Sequence, residues 1–276
     1  MQIMLSIIVT TYNWPQALKL VLMALAEQVK ANMEIIIADD GSGLETKAMI
    51  SEIKETIGCK VWHIWQPDEG FQAAKIRNKA IAKAIGDYLV FIDGDCIVAK
   101  DFIANHLKLK EKNHFVAGNR VLLTREFTQE IIQANPPFLL HQWGIWHWFL
   151  AKRKNKINRF TPCFKWRLLN KLMNCFSNQK WQGAKTCNLA VFKKDLIQIN
   201  GFDESFTGWG FEDSDLIVRL MKAGVKRKEA RFYAPVIHLW HAEQARDQAA
   251  GNGQKFEQVL DSPLFFSKLG LNQYDC

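Results

Sequence analysis

Four short polar clusters carry residue types able to do chemistry. The first is Asp93-Gly94-Asp95. Two carboxylates one residue apart can chelate a divalent cation, directly or through water, and hard cations with diphosphate ligands suit such oxygen donors. The same three residues also suit a tight turn. A calcium EF-hand is excluded, because Ile97 and Val98 stand where that loop needs Asp or Asn and then Gly. The second cluster, Asp40-Gly41-Ser42, could accept a hydrogen bond from a base or ribose, and alone reads as a turn. The third is Gly208-Trp209-Gly210-Phe211-Glu212-Asp213-Ser214-Asp215. An indole face can stack on the apolar face of a sugar ring, and an adjacent carboxylate could deprotonate a hydroxyl, as a general base must. An acidic helix N-terminus explains the charges but not the Gly-Trp-Gly. The fourth is His238-Leu239-Trp240-His241. Imidazoles ligate metals or titrate near neutrality. The zinc-protease helix pattern is excluded, since Leu239 stands where it needs Glu.

The elements that must position these clusters follow from hydrophobic patterning. Ser6 to Thr10, Glu34 to Ala38, Cys59 to Ile64 and Asp87 to Ile92 read as strands. Between them lie a helix opened by Pro15 with Leu18, Val21, Leu22 and Leu25 at helical spacing, one through Met49 and Ile53, and an alanine-rich one over Gly70 to Ile85. Alternation of strands and helices predicts a parallel, doubly wound α/β sheet over about the first hundred residues. Ligands of such sheets sit beyond the carboxyl ends of the strands, where Thr10 to Asn13, Asp39 to Ser42 and Asp93 to Asp95 all fall. Tyr233 to Ile237 is a further apolar run, and the polar tail from Gln244 onward is assigned little structure.

Composition narrows the function. The 276 residues are 48% hydrophobic and 23% charged, which excludes a disordered or collagen-like chain. No run of 18 apolar residues suggests a transmembrane helix, and Met1 to Thr11 lacks the basic start of a secretory signal. The expectation is a cytoplasmic protein with six free cysteines, at most peripheral at the inner face of the membrane. No Gly-x-Gly-x-x-Gly or Walker sequence occurs, which argues against a dinucleotide dehydrogenase and a P-loop NTPase. The net charge of +8 is concentrated: residues 131–194 hold twelve Lys or Arg and no Asp or Glu, while the rest carries 24 basic against 28 acidic residues. Five of the ten tryptophans also lie there: Trp143, Trp146, Trp148, Trp166 and Trp181.

As an ordered set these residues resemble a family. Ser6 to Asn13, Ile37 to Ser42, Arg77-Asn78 and Asp93-Gly94-Asp95 look like the nucleotide-binding half of family 2 glycosyltransferases of the GT-A fold. Asn200-Gly201-Phe202-Asp203-Glu204 and Gly208 to Asp215 resemble the acceptor half shared with galactosyltransferase-type and chondroitin-polymerase-type enzymes. The resemblance implies a Rossmann-like, doubly wound mixed α/β sheet with a helical basic and aromatic excursion. It divides one continuous domain into a nucleotide-sugar half (1–125), the excursion (126–182) and an acceptor and catalytic half (183–276). By position it implies that Thr10, Tyr12, Asp40, Arg77, Asp93 and Asn188 bind the donor, with Tyr12 and Asp40 at the uracil and Arg77 near the diphosphate. Asp95, His238 and Asp93 would hold Mn²⁺ or Mg²⁺, with His241 in reserve. Asp213 would be the catalytic base, Glu212 would hold the acceptor and Trp209 would stack on a sugar. The implied activity is inverting transfer from a UDP-sugar to a glycan or lipid-linked acceptor, in bacterial lipopolysaccharide or capsule assembly. Rival readings are a nucleotidyltransferase, which should need a triphosphate loop not found here, and a non-catalytic sugar-nucleotide or membrane-binding protein.

The basic segment has two readings. Tryptophans interleaved with Lys and Arg suit an anionic membrane surface or anionic acceptor. Alternatively, the tryptophans form a local core and the lysines are solvated. No RNA-module sequence accompanies them, so a nucleic-acid partner is not expected.

Overall fold

The computed structural model describes residues 5–134, 140–160, 166, 170–172, 174, 180–242 and 247–275. Four apolar runs form the expected strands: β1 (Leu5–Thr11), β2 (Met33–Asp39), β3 (Lys60–Trp65) and β4 (Tyr88–Asp93). The helices α1 (Pro15–Ala26), α2 (Leu44–Ile53) and α3 (Ala73–Lys83) connect them. The last begins three residues later than the alanine-rich pattern suggests, because the Gln72 backbone N–H donates to Asp40 at 2.8 Å.

Next come β5 (Cys96–Val98), α4 (Phe102–Leu109), β6 (His114–Ala117), β7 (Arg120–Leu122), α5 (Arg125–Gln133) and α6 (Ile145–Arg153). The chain continues through β8 (Asn188–Phe192), α7 (Lys193–Gln198), α8 (Glu212–Lys222), β9 (Lys226–Glu229), β10 (Val236–His238) and α9 (Ala249–Asp261). The main sheet has the order β3-β2-β1-β4-β8-β6-β9. Its β1, β2, β3 and β4 neighbours are parallel, and β8 runs antiparallel to both β4 and β6. The result is the mixed, doubly wound α/β sheet expected. Strands β5, β10 and β7 form a second, smaller sheet.

Alternation along the strands builds two cores. Ile7, Val9, Ile35, Ile37, Val90 and Ile92 face one side, against α1, α2 and α4. Ile8, Ile36, Leu89 and Phe91 face the other, against Ala74, Ile76 and Ile81 of α3 and Leu216 and Leu220 of α8. Strands buried on both faces read as continuous apolar runs, which is why they were visible in the sequence.

Sheet order reverses at β1, which has β2 on one side and β4 on the other. Register places Thr10 beside Asp93 and Thr11 beside Asp39. Close approach fixes the turn: the Gly94 N–H donates to the Thr10 carbonyl at 2.6 Å, and a Cβ at Gly94 would lie 2.9 Å from Thr11 Oγ1.

The tail departs from expectation, since α9 is a 13-residue helix docked on the third-cluster region. Phe256 is fully buried with Phe206 and Val218, stacks on Phe211 with ring centroids 5.3 Å apart, and meets Trp181 edge-on at 5.0 Å. Its helical pattern is masked by Gly251 and Gly253, both poor helix formers. The glycine at 253 faces the Phe211 ring, where a Cβ would come within 3.5 Å. Replacing Phe256 by Ala should lower unfolding free energy by about 3–5 kcal/mol, read by denaturant titration. A change under about 1 kcal/mol would mean that α9 does not help to hold the fold.

Candidate active site

The buried Arg77 guanidinium, only 4% exposed, joins the first and third clusters to Thr10 of β1. It projects from α3 to the switch point. Nε donates to Thr10 Oγ1 at 3.2 Å and Nη2 to Asp93 Oδ1 at 3.2 Å. Nη1 meets Asp213 Oδ1 at 3.4 Å and Glu212 Oε1 at 3.5 Å. Burial works against the charge, but Asp213, Asp93 and Glu212 outweigh it and hold the guanidinium protonated.

The two acidic partners of the third cluster reach Arg77 because α8 starts abruptly. Phe211 precedes the helix in the left-handed region at φ 71°, which costs about 1 kcal/mol for a non-glycine residue, and its stacking on Phe256 opposes that cost. Glu212 and Asp213 then occupy the first turn, where the helix dipole favours carboxylates. Thr186 Oγ1 donates a short hydrogen bond to Asp213 Oδ1. Burial, then the Asp213 charge, pushes Glu212 up to about 7. Burial pushes Asp93 up to about 6, with Arg77 opposing. Asp215 does not join the cluster: it binds Arg219 Nε at 3.0 and 3.1 Å, and Arg219 donates to the Ile199 and Gly201 carbonyls.

Asp95 lies in the turn beyond β4 and belongs to a separate group. The antiparallel register of β5 and β10 sets His238 opposite Cys96, and the Leu239 N–H donates to the Asp95 carbonyl. His241 Nε2 stands 3.2 Å from Asp95 Oδ2 and His238 Nε2 stands 3.6 Å away. Ligand atoms of Asp95, His238 and His241 all lie within 4.8 Å of one another. One carboxylate and two imidazoles fit a divalent cation. The expectation gave His241 only a reserve place, yet it is the nearer imidazole, while Asp93 points to Arg77. Burial opposes ionisation of Asp95, but the His241 hydrogen bond and the two imidazoles hold its carboxyl below the usual range. The hydrogen bond to Asp95 raises His241 to about 9, whereas burial lowers His238.

Among the other expected binding residues, Tyr12 and Asp40 lie just past the carboxyl ends of β1 and β2, and Asn188 lies opposite Ile92 near that of β4. Asp40 is buried past β2, and its oxygens accept from Gln66 Nε2 at 2.6 Å and the Gln72 N–H at 2.8 Å. Tyr12 is half exposed and donates to Asp68 at 2.8 Å. Trp209 is 39% exposed on the Gly208 to Phe211 loop. Asn188 is buried: its amide donates to the Asn119 and Ala234 carbonyls and its oxygen meets His106 Nε2 at 3.0 Å. Those partners orient Asn188 within the fold.

Sequence reasoning missed Thr186, Gln66 and His106. None belongs to a motif, and each reaches its partner only through folding. The tryptophans of the basic segment divide between the two readings. Trp143 and Trp148 pack together with centroids 5.0 Å apart, and Trp181 packs on Phe256. Trp146 is 73% exposed. No helix among the described residues is long and apolar enough to cross a membrane.

His106 gives this region a pH signature. Burial pushes its imidazole down to about 4, with the Asn188 hydrogen bond opposing. An unfolded chain takes up that proton near pH 6.5 and the folded chain does not. The stability it confers is therefore complete above about pH 6.5 and is lost as pH falls toward 4, on the order of 3 kcal/mol. Unfolding free energy should fall more steeply between pH 7 and 4.5 in the parent than in His106→Gln; parallel profiles would refute this reading.

Comparison with known proteins identifies relatives of the chain and of its fold. The family model of glycosyl transferase family 2 matches residues 6–175, and that of the N-terminal domain of galactosyltransferase matches residues 167–242. An uncharacterized glycosyltransferase, YfnE, of Bacillus subtilis is 28% identical over 80% of this chain and 61% of the relative. Chondroitin synthase of Escherichia coli is 27% identical over 80% of this chain and 32% of the relative. The chain thus spans between a third and three-fifths of the length of these curated relatives. Among solved structures, S. aureus TarS 1-349, also solved in complex with UDP, superposes with TM-score 0.60 at 13% identity, covering 98% of this chain and 67% of that one. The mannosyltransferase PcManGT from Pyrobaculum calidifontis, in complex with GDP-Man and Mn²⁺, gives 0.60 at 15% identity over 93% and 63%.

Proposed function

The chain belongs to glycosyl transferase family 2, and from that premise we propose that it transfers a sugar, with inversion, from a UDP-sugar to a glycan or lipid-linked acceptor in bacterial surface-polysaccharide assembly. The observation that carries the reading is the convergence of Asp93, Glu212 and Asp213 on Arg77 beside Asp95, at the carboxyl ends of β1 and β4. UDP on a structural neighbour and chondroitin synthase among the relatives support the donor and acceptor classes.

Asp95, His238 and His241 would hold a divalent cation, Mn²⁺ or Mg²⁺, which neutralises charge on a departing diphosphate. The remaining work falls to the protein's own groups. Asp40 and Tyr12 border the place of the uracil. Glu212 is the carboxyl that burial and Asp213 push toward its protonated form, so it can donate a hydrogen bond to an acceptor hydroxyl. Asp213, held by Thr186 and Arg77, accepts the proton of that hydroxyl as it attacks the anomeric carbon. Trp209 offers an indole face to the acceptor ring. One displacement turns an α-linked donor into a β-glycoside.

The exposed face of α6 supports an anionic membrane surface as the place where the acceptor is met. Trp146, Leu150 and Arg153 recur on successive turns of that face, exposed Lys154 follows at its end, and no acidic residue occurs from 131 to 194.

Thermal unfolding with UDP should show the site directly. At about 100 times its dissociation constant, UDP should add about 2.7 kcal/mol with Mn²⁺ and much less with EDTA. Absence of any shift would move the reading to another nucleotide or a non-catalytic role. Asp213→Asn should lower kcat by about 100- to 10,000-fold while donor affinity holds, and near-parental turnover would remove Asp213 as the base. In liposome flotation, the protein should rise with anionic vesicles and not with zwitterionic ones. Trp146→Ala with Leu150→Ala should abolish that, and flotation unaffected by the pair would move the contact away from α6.

A further inference from the structure

Two thiols lie behind the carboxylates, and the proposed reaction uses neither. Cys96 opens β5 and Cys187 immediately precedes β8; both are buried and free. The Cys96 Sγ donates to Asp95 Oδ1 at 3.3 Å and lies beside the Cys187 Sγ. The Sγ atoms of Cys96 and Cys187 and a carboxylate oxygen of Asp93 all lie within 4.8 Å of one another. Shifts of under about an ångström would bring such a set to the distances of tetrahedral thiolate sites. Arg120, on β7, interacts electrostatically with both thiols and with Asp93.

We propose that Asp93, Cys96 and Cys187 form a second cation site, selective for a thiophilic divalent ion such as Zn²⁺ or Cd²⁺ and distinct from the Asp95, His238 and His241 group. Donor chemistry separates the two. Thiolates favour soft and borderline cations, whereas the neighbouring carboxylate and imidazoles accept harder ones. Binding forms two sulfur–metal bonds and one oxygen–metal bond and releases the two thiol protons to solvent. Two thiolates, one carboxylate and a dication sum to one negative charge, which Arg120 balances. The fourth position of the tetrahedron stays open to water.

The two sites are antagonistic. A cation held by Asp93 competes with Arg77 for that carboxylate, and its capture of Cys96 removes the proton now given to Asp95. Occupation should therefore weaken binding of UDP and the harder cation, a consequence that rests on the function proposed above. The cation site itself does not depend on that function.

The test uses the full chain loaded with Mn²⁺ and titrated with Cd²⁺, following the ultraviolet thiolate-to-cadmium charge-transfer band. A saturable band at one equivalent is expected in the parent. It should be lost in Cys187→Ser and in Cys187→Ala, each checked for a parental melting profile. No band in the parent, or one of equal strength in folded Cys187 variants, would overturn the site. In a second arm, Zn²⁺ should weaken UDP affinity about tenfold or more in the parent and far less in Cys187→Ser. Equal weakening in both would overturn the antagonism. A band that depends on Cys187 in a protein that ignores UDP would leave the cation site standing and remove the proposed function instead.

Discussion

Burial of one guanidinium among three carboxylates is the constraint on which the site depends. Arg77 stands at the meeting of the two halves of the chain: Asp93 comes from the first, Glu212 and Asp213 from the second. Each charge would be costly alone in the interior, and together they are balanced enough to persist. The next residue makes the join rigid. Asn78 donates to the Phe202 carbonyl at 2.9 Å and to Glu204 at 2.8 Å, and accepts from the Phe202 N–H. One turn of α3 thus orients the charges and clamps the loop that precedes α8. The sheet reinforces the join, because β8, from the later half, lies between β4 and β6 of the earlier one.

Much of this was legible in the sequence, for identifiable reasons. Strands β1, β2 and β4 are buried on both faces, so their runs are apolar apart from the hydrogen-bonded Ser6 and Glu34, and the polar residues after them mark the carboxyl ends. Asp93, Asp95, Glu212, Asp213 and His238 could be singled out because each sits in a local pattern. The second sheet was not legible as one. Its strands β5, β7 and β10 have three residues each, too few for a period, and they meet only by long-range pairing. The same holds for Thr186, whose single hydroxyl reaches Asp213 across 27 positions of sequence. The helix α9 was missed for a different reason, since Gly251 and Gly253 lower its helix propensity.

The two metal-competent groups beside Arg77 illustrate how closely spaced residues acquire different chemistry. Asp93 and Asp95 are separated by one glycine, yet the first faces Arg77 and the second faces two imidazoles. Their acidities move in opposite directions, up for Asp93 under burial and down for Asp95 under its histidines. Sequence spacing sets the pair side by side, and the surrounding charges decide what each can do.

The register that sets His238 opposite Cys96 also governs where the chain can change length. Side chains alternate across a strand, so a one-residue slip of β10 would turn His238 to the opposite face and carry it away from Asp95. A residue inserted into or deleted from β10 itself is therefore closed to this fold. The excursion after β7 is tied to the same strand. A bridge between Leu123 and Ile157 closes it at its base, and within it Thr128 Oγ1 accepts from the Trp240 N–H, next to His241. The histidine pair is thus held from two flanks, by the pleat of a short strand and by the foot of the excursion.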